Sequence, residues 1–373
     1  MKKHILFVLD YYLPHRWWSE TVFEKIINGL IKKWHKITLI TSHFDPKLPI
    51  QENHNGLHIL RVGKGRFSFM FSTFLAGIKL LWKEKNIDVI HTSTYWWAIP
   101  ASLLGILFRK KVILTVHEIF WKLWIEYKWF FSWLLYLFFE HIIFLLPYDV
   151  YHCVSLYTMN SLRVCYWITD SKLCVVYNWV DTDFWDKKLV SESDILDRKK
   201  KYWWGGKFVV LYYWHAGKSK WIDTIVDAIP KVLAQSTEII FVLNIIDSRR
   251  KTEIVSRLKD LHMPNRIHIF DGFEKDRLRS LVATADLVVA PSFSEGFGSV
   301  HSEATTLGKP LVTTLVASIP EVVWGQVKFI VPGSVQQLVD AILSYKKDQQ
   351  SFSTLPLKHF DWKDTVDQIE RLY

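Results

Sequence analysis

Short apolar runs separated by segments of helical spacing constrain this chain more than any other feature. In the first half they are His4–Leu9, Ile37–Thr41, Leu57–Val62, Val89–His91, Val112–Val116 and Val150–Val154. The series restarts at Phe208–Tyr213 and continues through Glu238–Leu243, Ile267–Phe270, Leu287–Ala290, Pro310–Thr314 and Val327–Ile330. Runs this short and continuously apolar read as buried strands. The amphipathic segments between them, such as Glu20–Lys33 and Phe71–Lys83, supply the crossovers that parallel strands need. Two such series predict an α/β chain with two Rossmann-like, doubly wound parallel-sheet domains. A length of 373 residues fits that division, because one core seldom serves so long a chain.

Between the two series lies Asp181–Lys207, rich in charge and closing near Gly205-Gly206, which has the composition of a connection. The predicted organisation is a first domain over 1–180, a linker over 181–207, a second domain over 208–357 and a terminal segment over 358–373. In that last segment Trp362, Val366, Ile369 and Leu372 share one helical stripe, which must be buried somewhere.

The segment most suggestive of chemistry runs from Pro291 to Ala304. A strand ends at Ala290, a loop carrying Gly296 and Gly298 follows, and a helix begins near Ser299. Glycines let backbone N–H groups approach a ligand closely, and a helix N-terminus favours negative charge, so this is a place to hold a phosphate and a sugar. Glu295 in the loop can accept hydrogen bonds from sugar hydroxyls. Glu303, further along the helix, can reach a ribose diol, and an acceptor-only carboxylate suits both tasks.

Other chemistries find less support. Cys153, Cys165 and Cys174 form no CxxC pair, which points to a reducing compartment and no thiolate metal site. The histidines show no HExxH or similar ligand spacing. Gly217-Lys218-Ser219 follows a strand, but a P-loop needs glycine at position 212, which is Tyr212. A dinucleotide fingerprint would follow the first strand, where the chain has Asp10-Tyr11-Tyr12.

The net charge is +10, and +9 of it falls within residues 1–180. That asymmetry directs the first half toward something anionic: a phospholipid surface, a phosphorylated lipid or nucleic acid. The absence of zinc spacing or an RNP-like run argues against nucleic acid. Residues 129–146 are almost continuously apolar, yet Glu140 and His141 lie inside, so lying in a membrane interface fits better than spanning, with a buried domain helix as the alternative. The apolar run after Met1-Lys2-Lys3 stops at Asp10, short of a secretory core. The expectation is a cytoplasmic protein, peripheral on the inner face of the plasma membrane.

At this point the sequence resembles the retaining glycosyltransferases of the GT-B fold, specifically glycosyltransferase family 4. The resemblance spans nearly the whole chain. It rests on the E-x7-E block at Glu295 and Glu303, the opening strand and its ILFVLDYYLPH loop, Thr115-Val116-His117-Glu118, Asn178-x-Val180-Asp181, Gly217-Lys218-Ser219-Lys220 and Ile319-Pro320-Glu321-Val322. It implies two domains facing a central cleft, a nucleotide-sugar donor (UDP-, GDP- or ADP-linked) held mostly by the second domain, and an acceptor held by the first. It further implies retention of anomeric configuration, no metal or other cofactor, and a terminal helix crossing back onto the first domain. A lipid-linked or cell-envelope glycan is the acceptor expected from the basic, aromatic first half together with family habit.

Carried over residue by residue, Glu303 looks like the ribose ligand, and Glu295 with the backbone of Gly296, Phe297, Gly298 and Ser299 looks like the sugar and phosphate cradle. Lys220 matches the lysine facing the diphosphate, and His117 the histidine beside the donor sugar; His117, Lys220 and Glu295 form the expected catalytic set. A departing nucleoside diphosphate gathers negative charge that preorganised cations and dipoles stabilise. His215 stands where the family usually has a second, arginine cation, and Phe273 where it often packs the base edge, although an aromatic there is more often core. The readings set against this one are a catalytically impaired GT-B paralogue and a basic protein that binds nucleic acid or a membrane surface.

Trp17 and Trp18 stand where the family has paired, phosphate-facing glycines. The same replacement recurs at Trp34, Trp179, Trp214 and Trp221, and again at Trp96, Trp97, Trp121, Trp167, Trp203, Trp204 and Trp324. Reading these thirteen as glycine raises the 15 glycines to 28, close to the usual share of roughly 7%, and leaves six of the 19 tryptophans. Both composition anomalies vanish together. The expectation is a gene in which UGA specifies glycine but is written here as tryptophan; divergence, or an aromatic sugar-stacking surface, is the alternative.

Overall fold

In the computed structural model of this protein the described residues are 2–15, 18–127, 130–246, 250–273 and 275–373. The chain forms two compact units, one of residues 1–179 with 360–373 and the other of residues 180–359.

Unit 1 contains strands β1 (His4–Val8), β2 (Lys36–Ser42), β3 (Gln51–His54), β4 (Leu57–Val62), β5 (Val89–Ser93), β6 (Lys111–Val116), β7 (Val150–Cys153) and β8 (Leu173–Val175). They form one sheet in the order β3-β4-β2-β1-β5-β6-β7-β8, parallel except where β3 pairs antiparallel with β4 at the edge. Its helices are α1 (Trp18–Lys32), α2 (Arg66–Lys83), α3 (Ala98–Phe108), α4 (Trp124–Tyr127), α5 (Phe130–Leu145) and α6 (Leu156–Tyr166). Successive strand residues face opposite sides. Ile5 and Phe7 therefore meet Val22, Phe23 and Ile26 of α1, whereas Leu6 and Val8 belong to the core beneath α2, α3, α5 and α6.

Unit 2 begins with α7 (Glu192–Lys201) and continues with β9 (Phe208–His215), α8 (Ile222–Gln235), β10 (Ile239–Ile246), α9 (Lys251–Asp260), β11 (Ile267–Phe270), α10 (Lys275–Thr284) and β12 (Leu287–Ala290). It ends with α11 (Ser299–Thr306), β13 (Leu311–Thr314), α12 (Ile319–Val322), β14 (Gly325–Ile330), α13 (Val335–Lys347) and β15 (Ser353–Leu355). The strand order is β11-β10-β9-β12-β13-β14-β15, with only the β14–β15 pairing antiparallel among those described. The terminal helix α14 (Trp362–Glu370) returns to unit 1, where Val366 and Ile369 join the core under α1.

One sequence expectation needs correction. Residues 181–207 are not a free linker, because α7 is docked: Arg198 Nε donates to Ser280 Oγ at 3.2 Å and Lys199 lies 3.5 Å from Asp286. Its charges line an exposed helix face, and a Ser191–Asp194 capping box starts it. The apolar stretch over 129–146 is α5 over its described part. It has one buried side, and its Glu140 carboxylate accepts from the N–H groups of Phe120 and Trp121, the Trp124 indole and the Tyr166 hydroxyl.

The tryptophans divide sharply. Ten non-glycine residues among those described have positive φ, and five of them are Trp34, Trp121, Trp167, Trp203 and Trp221. All five belong to the thirteen. Trp34 closes α1 in a Schellman turn, where its N–H donates to Ile31 O and that of His35 to Leu30 O. Trp203 does the same after α7, through bonds to Lys200 O and from Trp204 to Lys199 O. At the end of α11 the matching bonds, to Thr305 O and from Lys309 to Ala304 O, place Gly308 at that position. Three more of the thirteen, Trp179, Trp204 and Trp214, bury an indole N–H with no hydrogen-bond partner among the described residues. Neither fault occurs at a described tryptophan outside the set.

Candidate active site

Ligands of doubly wound sheets bind beyond the carboxyl ends of the strands, where the strand order reverses. In unit 2 that reversal lies between β9 and β12. β9 ends at His215 and the segment after it carries Lys220, and the segment after β12 is the Glu295 loop. The two are stitched together by the Phe293 N–H, which donates to Ser219 O at 2.7 Å.

Lys220 Nζ lies 2.9 Å from Glu295 Oε2, and both side chains are buried. Ser292 Oγ donates to Glu295 Oε1 at 2.8 Å, and Ser318 Oγ, just before α12, donates to Glu295 O at 2.8 Å. Burial pushes the Glu295 carboxyl up, but Lys220, His301 and the bond from Ser292 outweigh it and hold the group below the usual range. Gly298 adopts φ 81° and hands the chain into α11, leaving the first N–H groups of that helix at the bend.

His215 is not a second cation. Burial first, and the Lys220 charge next, bring its imidazole down to about 4. Gly217 N–H donates to His215 Nδ1 at 3.1 Å, so the neutral ring carries its proton on Nε2 as a single donor. Glu303 lies on α11 close enough to Tyr213 that its charge adds to burial in raising that phenol, whose hydroxyl donates to Val300 O at 2.8 Å. Phe297 is buried, and Ser299 is the first residue of α11. Phe273 is half-buried and packs on Phe270 at 4.8 Å, with the Arg198 guanidinium 5.9 Å from its ring.

Trp221 stands beside Lys220 at φ 46° and stacks on Phe293 at 5.0 Å. Trp17 lies outside the described residues. Trp18 opens α1 in unit 1.

In unit 1 the strand order reverses between β1 and β5. His117, just past β6, is buried there edge-on to Phe23 at 5.8 Å. Burial, and secondarily His152, lower its imidazole to about 3, so it is neutral. Sequence reasoning did not single out Asp10, two residues past β1. Burial raises its carboxyl to about 6, with Glu20 adding to the rise and Arg66 opposing it. Nor did it find His301, fully buried in α11, whose Nε2 lies 3.0 Å from Ala290 O beneath the Gly298 bend. Its place within the E-x7-E block was the available signal; for Asp10 it was a lone carboxylate at a strand's carboxyl end.

The fold is that of Anabaena Alr3699/HepE in complex with UDP, with a TM-score of 0.77 at 18% identity over 100% of this chain and 98% of that one. Residues 19–184 match the family model described as Glycosyltransferase Family 4, and residues 194–355 the one described as Glycosyl transferases group 1. The protein is a glycosyltransferase of the GT-B fold. Relatives of this glycosyltransferase include the phosphatidylinositol N-acetylglucosaminyltransferase GPI3 subunit of Saccharomyces cerevisiae (strain YJM789). That protein is 22% identical over 395 residues, covering 99% of this chain and 82% of its own length. A glycosyltransferase of Methanocaldococcus jannaschii is 26% identical over 359 residues, 86% of this chain and 83% of its own.

Proposed function

We propose that the protein moves a hexosyl unit from a UDP-, GDP- or ADP-linked donor to a lipid-linked or cell-envelope glycan, with retention of anomeric configuration and without a metal. The observation that carries this reading is the buried Lys220–Glu295 pair poised at the Gly298 bend of unit 2. With no donor present, each side chain neutralises the other. On donor binding Lys220 turns to the diphosphate, joined by the α11 N–H groups and the His215 Nε2–H. Glu295 is then released to accept from the sugar hydroxyls, and Glu303 takes the ribose diol. Positive charge held in a dry site stabilises the leaving diphosphate more than the ground state, which is what lowers a barrier. His117, neutral, acts within unit 1 as a hydrogen-bonding group rather than as a charge. The acceptor binds unit 1 in this reading, at the inner face of the plasma membrane. A relative named for phosphatidylinositol supports including inositol phospholipids among the acceptors tried.

The test is nucleoside diphosphate release across a donor panel, using protein with glycine at the thirteen tryptophan positions. Glu295→Gln is expected to lower kcat by about 10²-fold or more with the active donor. Glu303→Gln is expected chiefly to raise the donor KM by about tenfold. Proton NMR of the product reads the anomeric configuration. Release unchanged in both variants overturns the site, and inversion overturns the stereochemical claim. A second reading, an impaired paralogue, is favoured by Trp221 stacked against Phe293 beside Lys220; it gains if no donor is consumed even by the glycine-restored protein.

A further inference from the structure

Three neighbouring helices on one side of the unit 1 sheet turn apolar side chains outward as well as inward. Helix α2 buries Phe69, Thr73, Leu80 and Leu81, yet Phe67, Phe71, Leu75 and Trp82 are more than half exposed. At 100° per residue those four fall on one stripe nearly opposite the buried one. Helix α3 meets α2 where Gly77 lies against Leu104, and it exposes Ile106 and Leu107 at its C-terminal end. Helix α5 buries Glu140, Ile143 and Phe144 while exposing Leu134, Phe138 and Leu145, again on its opposite side. Arg66 Nη1 donates to Tyr136 Oη at 2.9 Å, and Phe67 packs on Trp96, which stacks on Phe139, so α2 and α5 are tied into one surface.

Along α2 and at the end of α3 the exposed charge among the described residues is mostly basic. Arg66, Lys79 and Lys83 lie on α2, Lys64 and Lys85 flank it and Arg109 follows α3, all exposed. Glu84, the acidic residue within that stretch, is taken by Lys36 at 2.7 Å. Lysines set directly beside an apolar stripe are unusual at the core of a protein interface. In a bilayer they are favourable, because their stems lie along the apolar layer while the ammonium groups reach lipid phosphates. A bilayer also needs no matched shape, whereas exposed residues spread over three helices would need one from a protein partner.

We propose that the outward faces of α2, α3 and α5 dock this protein on an anionic lipid surface, with Phe67, Phe71 and Trp82 entering the headgroup–acyl boundary and Lys79 and Lys83 pairing with phosphates. The idea deepens the acceptor reading above, which supplies its purpose, but its test reads binding and not sugar transfer, so either can fail without the other. The full chain is floated with phosphatidylcholine vesicles made with and without phosphatidylglycerol. Co-flotation is expected with the anionic vesicles and should weaken as salt is raised. The combined variant Phe67→Ser, Phe71→Ser and Trp82→Ser should bind at least about tenfold more weakly to either vesicle. Lys79→Gln with Lys83→Gln should lose about tenfold on anionic vesicles at low salt and little at high salt. These side chains are exposed, so the variants should keep the wild-type circular dichroism and melting midpoint, which confirms that the fold is intact. Failure of the folded wild type to float, or equal flotation of the serine variant, overturns the proposal. So does a wild-type dimer that the serine variant converts to monomer, because the occupant is then a second copy.

Discussion

A left-handed residue at a helix end carries no side chain for good reason, and the clearest residue-scale test is Trp203. It is 90% exposed at φ 59°, so replacing it removes little buried area and relieves a β-carbon clash. Trp203→Gly is expected to raise stability by about 1 kcal/mol, read as a higher urea midpoint at unchanged slope. Trp185→Gly should instead cost about 3–5 kcal/mol, since Trp185 is outside the thirteen and fully buried. A gain at 203 with a loss at 185 separates glycine sites from true tryptophans. The codons make an independent check: UGA at Trp34 and Trp203, UGG at Trp362. Asp10 carries a second expectation at this scale. A carboxyl raised to about 6 takes up its proton between pH 7 and 5, so a rate profile dependent on its charged form falls through that range, and Asp10→Asn removes that limb. The tryptophan faults were legible in composition and motif position. The Asp10 shift was not, because burial by the surrounding fold creates it, with Arg66 opposing and Glu20 adding to the rise.

At the scale of elements, the return of α14 to unit 1 depends on a close approach. A β-carbon on Gly29 of α1 would lie 2.8 Å from Val366 Cγ2, and Val366 is β-branched with little freedom to move aside. Beside that contact Glu370 takes Lys33 at 2.6 Å and His35 at 2.8 Å. Gly29→Leu is therefore expected to lift α14, lower unit 1 stability by about 1–3 kcal/mol and speed hydrogen exchange at Val366 and Ile369. Unchanged exchange there would mean that the helix is held mainly by its ion pairs. The terminal stripe of Trp362, Val366, Ile369 and Leu372 was readable, since periodicity belongs to the sequence; its partner was not, because a single glycine in α1 gives no pattern. The same limit explains the elements that were missed. β3, β8 and β15 are short edge strands with polar or partly exposed residues, lacking the continuous apolar run that marks a central strand. Helix α7 reads as linker because its charge says solvent, and contacts far along the chain, such as Ser280 and Asp286, reveal the docking.

The molecule as a whole is built around neutral histidines. In unit 1 a hydrogen-bonded chain runs from Tyr373 Oη to His91 Nδ1 (2.7 Å), from His91 Nε2 to Thr115 Oγ1 (2.8 Å), from Thr115 Oγ1 to His152 Nδ1 (2.9 Å) and from His152 Nε2 to Val176 O (2.9 Å). A carbonyl can only accept, so His152 carries its proton on Nε2 and its Nδ1 accepts from Thr115. Thr115 in turn accepts from His91 Nε2–H, and His91 Nδ1 accepts from Tyr373. Every link is defined with both rings neutral, and an added proton turns an acceptor toward a donor. Burial accordingly holds His91 well below its ordinary value and brings His152 to about 4, His117 to about 3 and, in unit 2, His215 to about 4. The unfolded chain gains protons at these sites near pH 6.5, while the folded chain resists until much lower pH. Stability from these groups is thus fully present above pH 6.5 and is lost as pH falls toward 4. Asp10 works in the opposite sense within that window, but it is a single group set against four. The thermal midpoint is expected to hold from pH 8 to 7 and then drop steadily toward pH 4.5, and a flat or rising midpoint on acidification contradicts the neutral-ring assignment. Thr115→Val, which severs the chain between the rings, should lower the midpoint already at pH 7 and leave a shallower slope below it, because the rings it strands are no longer held to one tautomer.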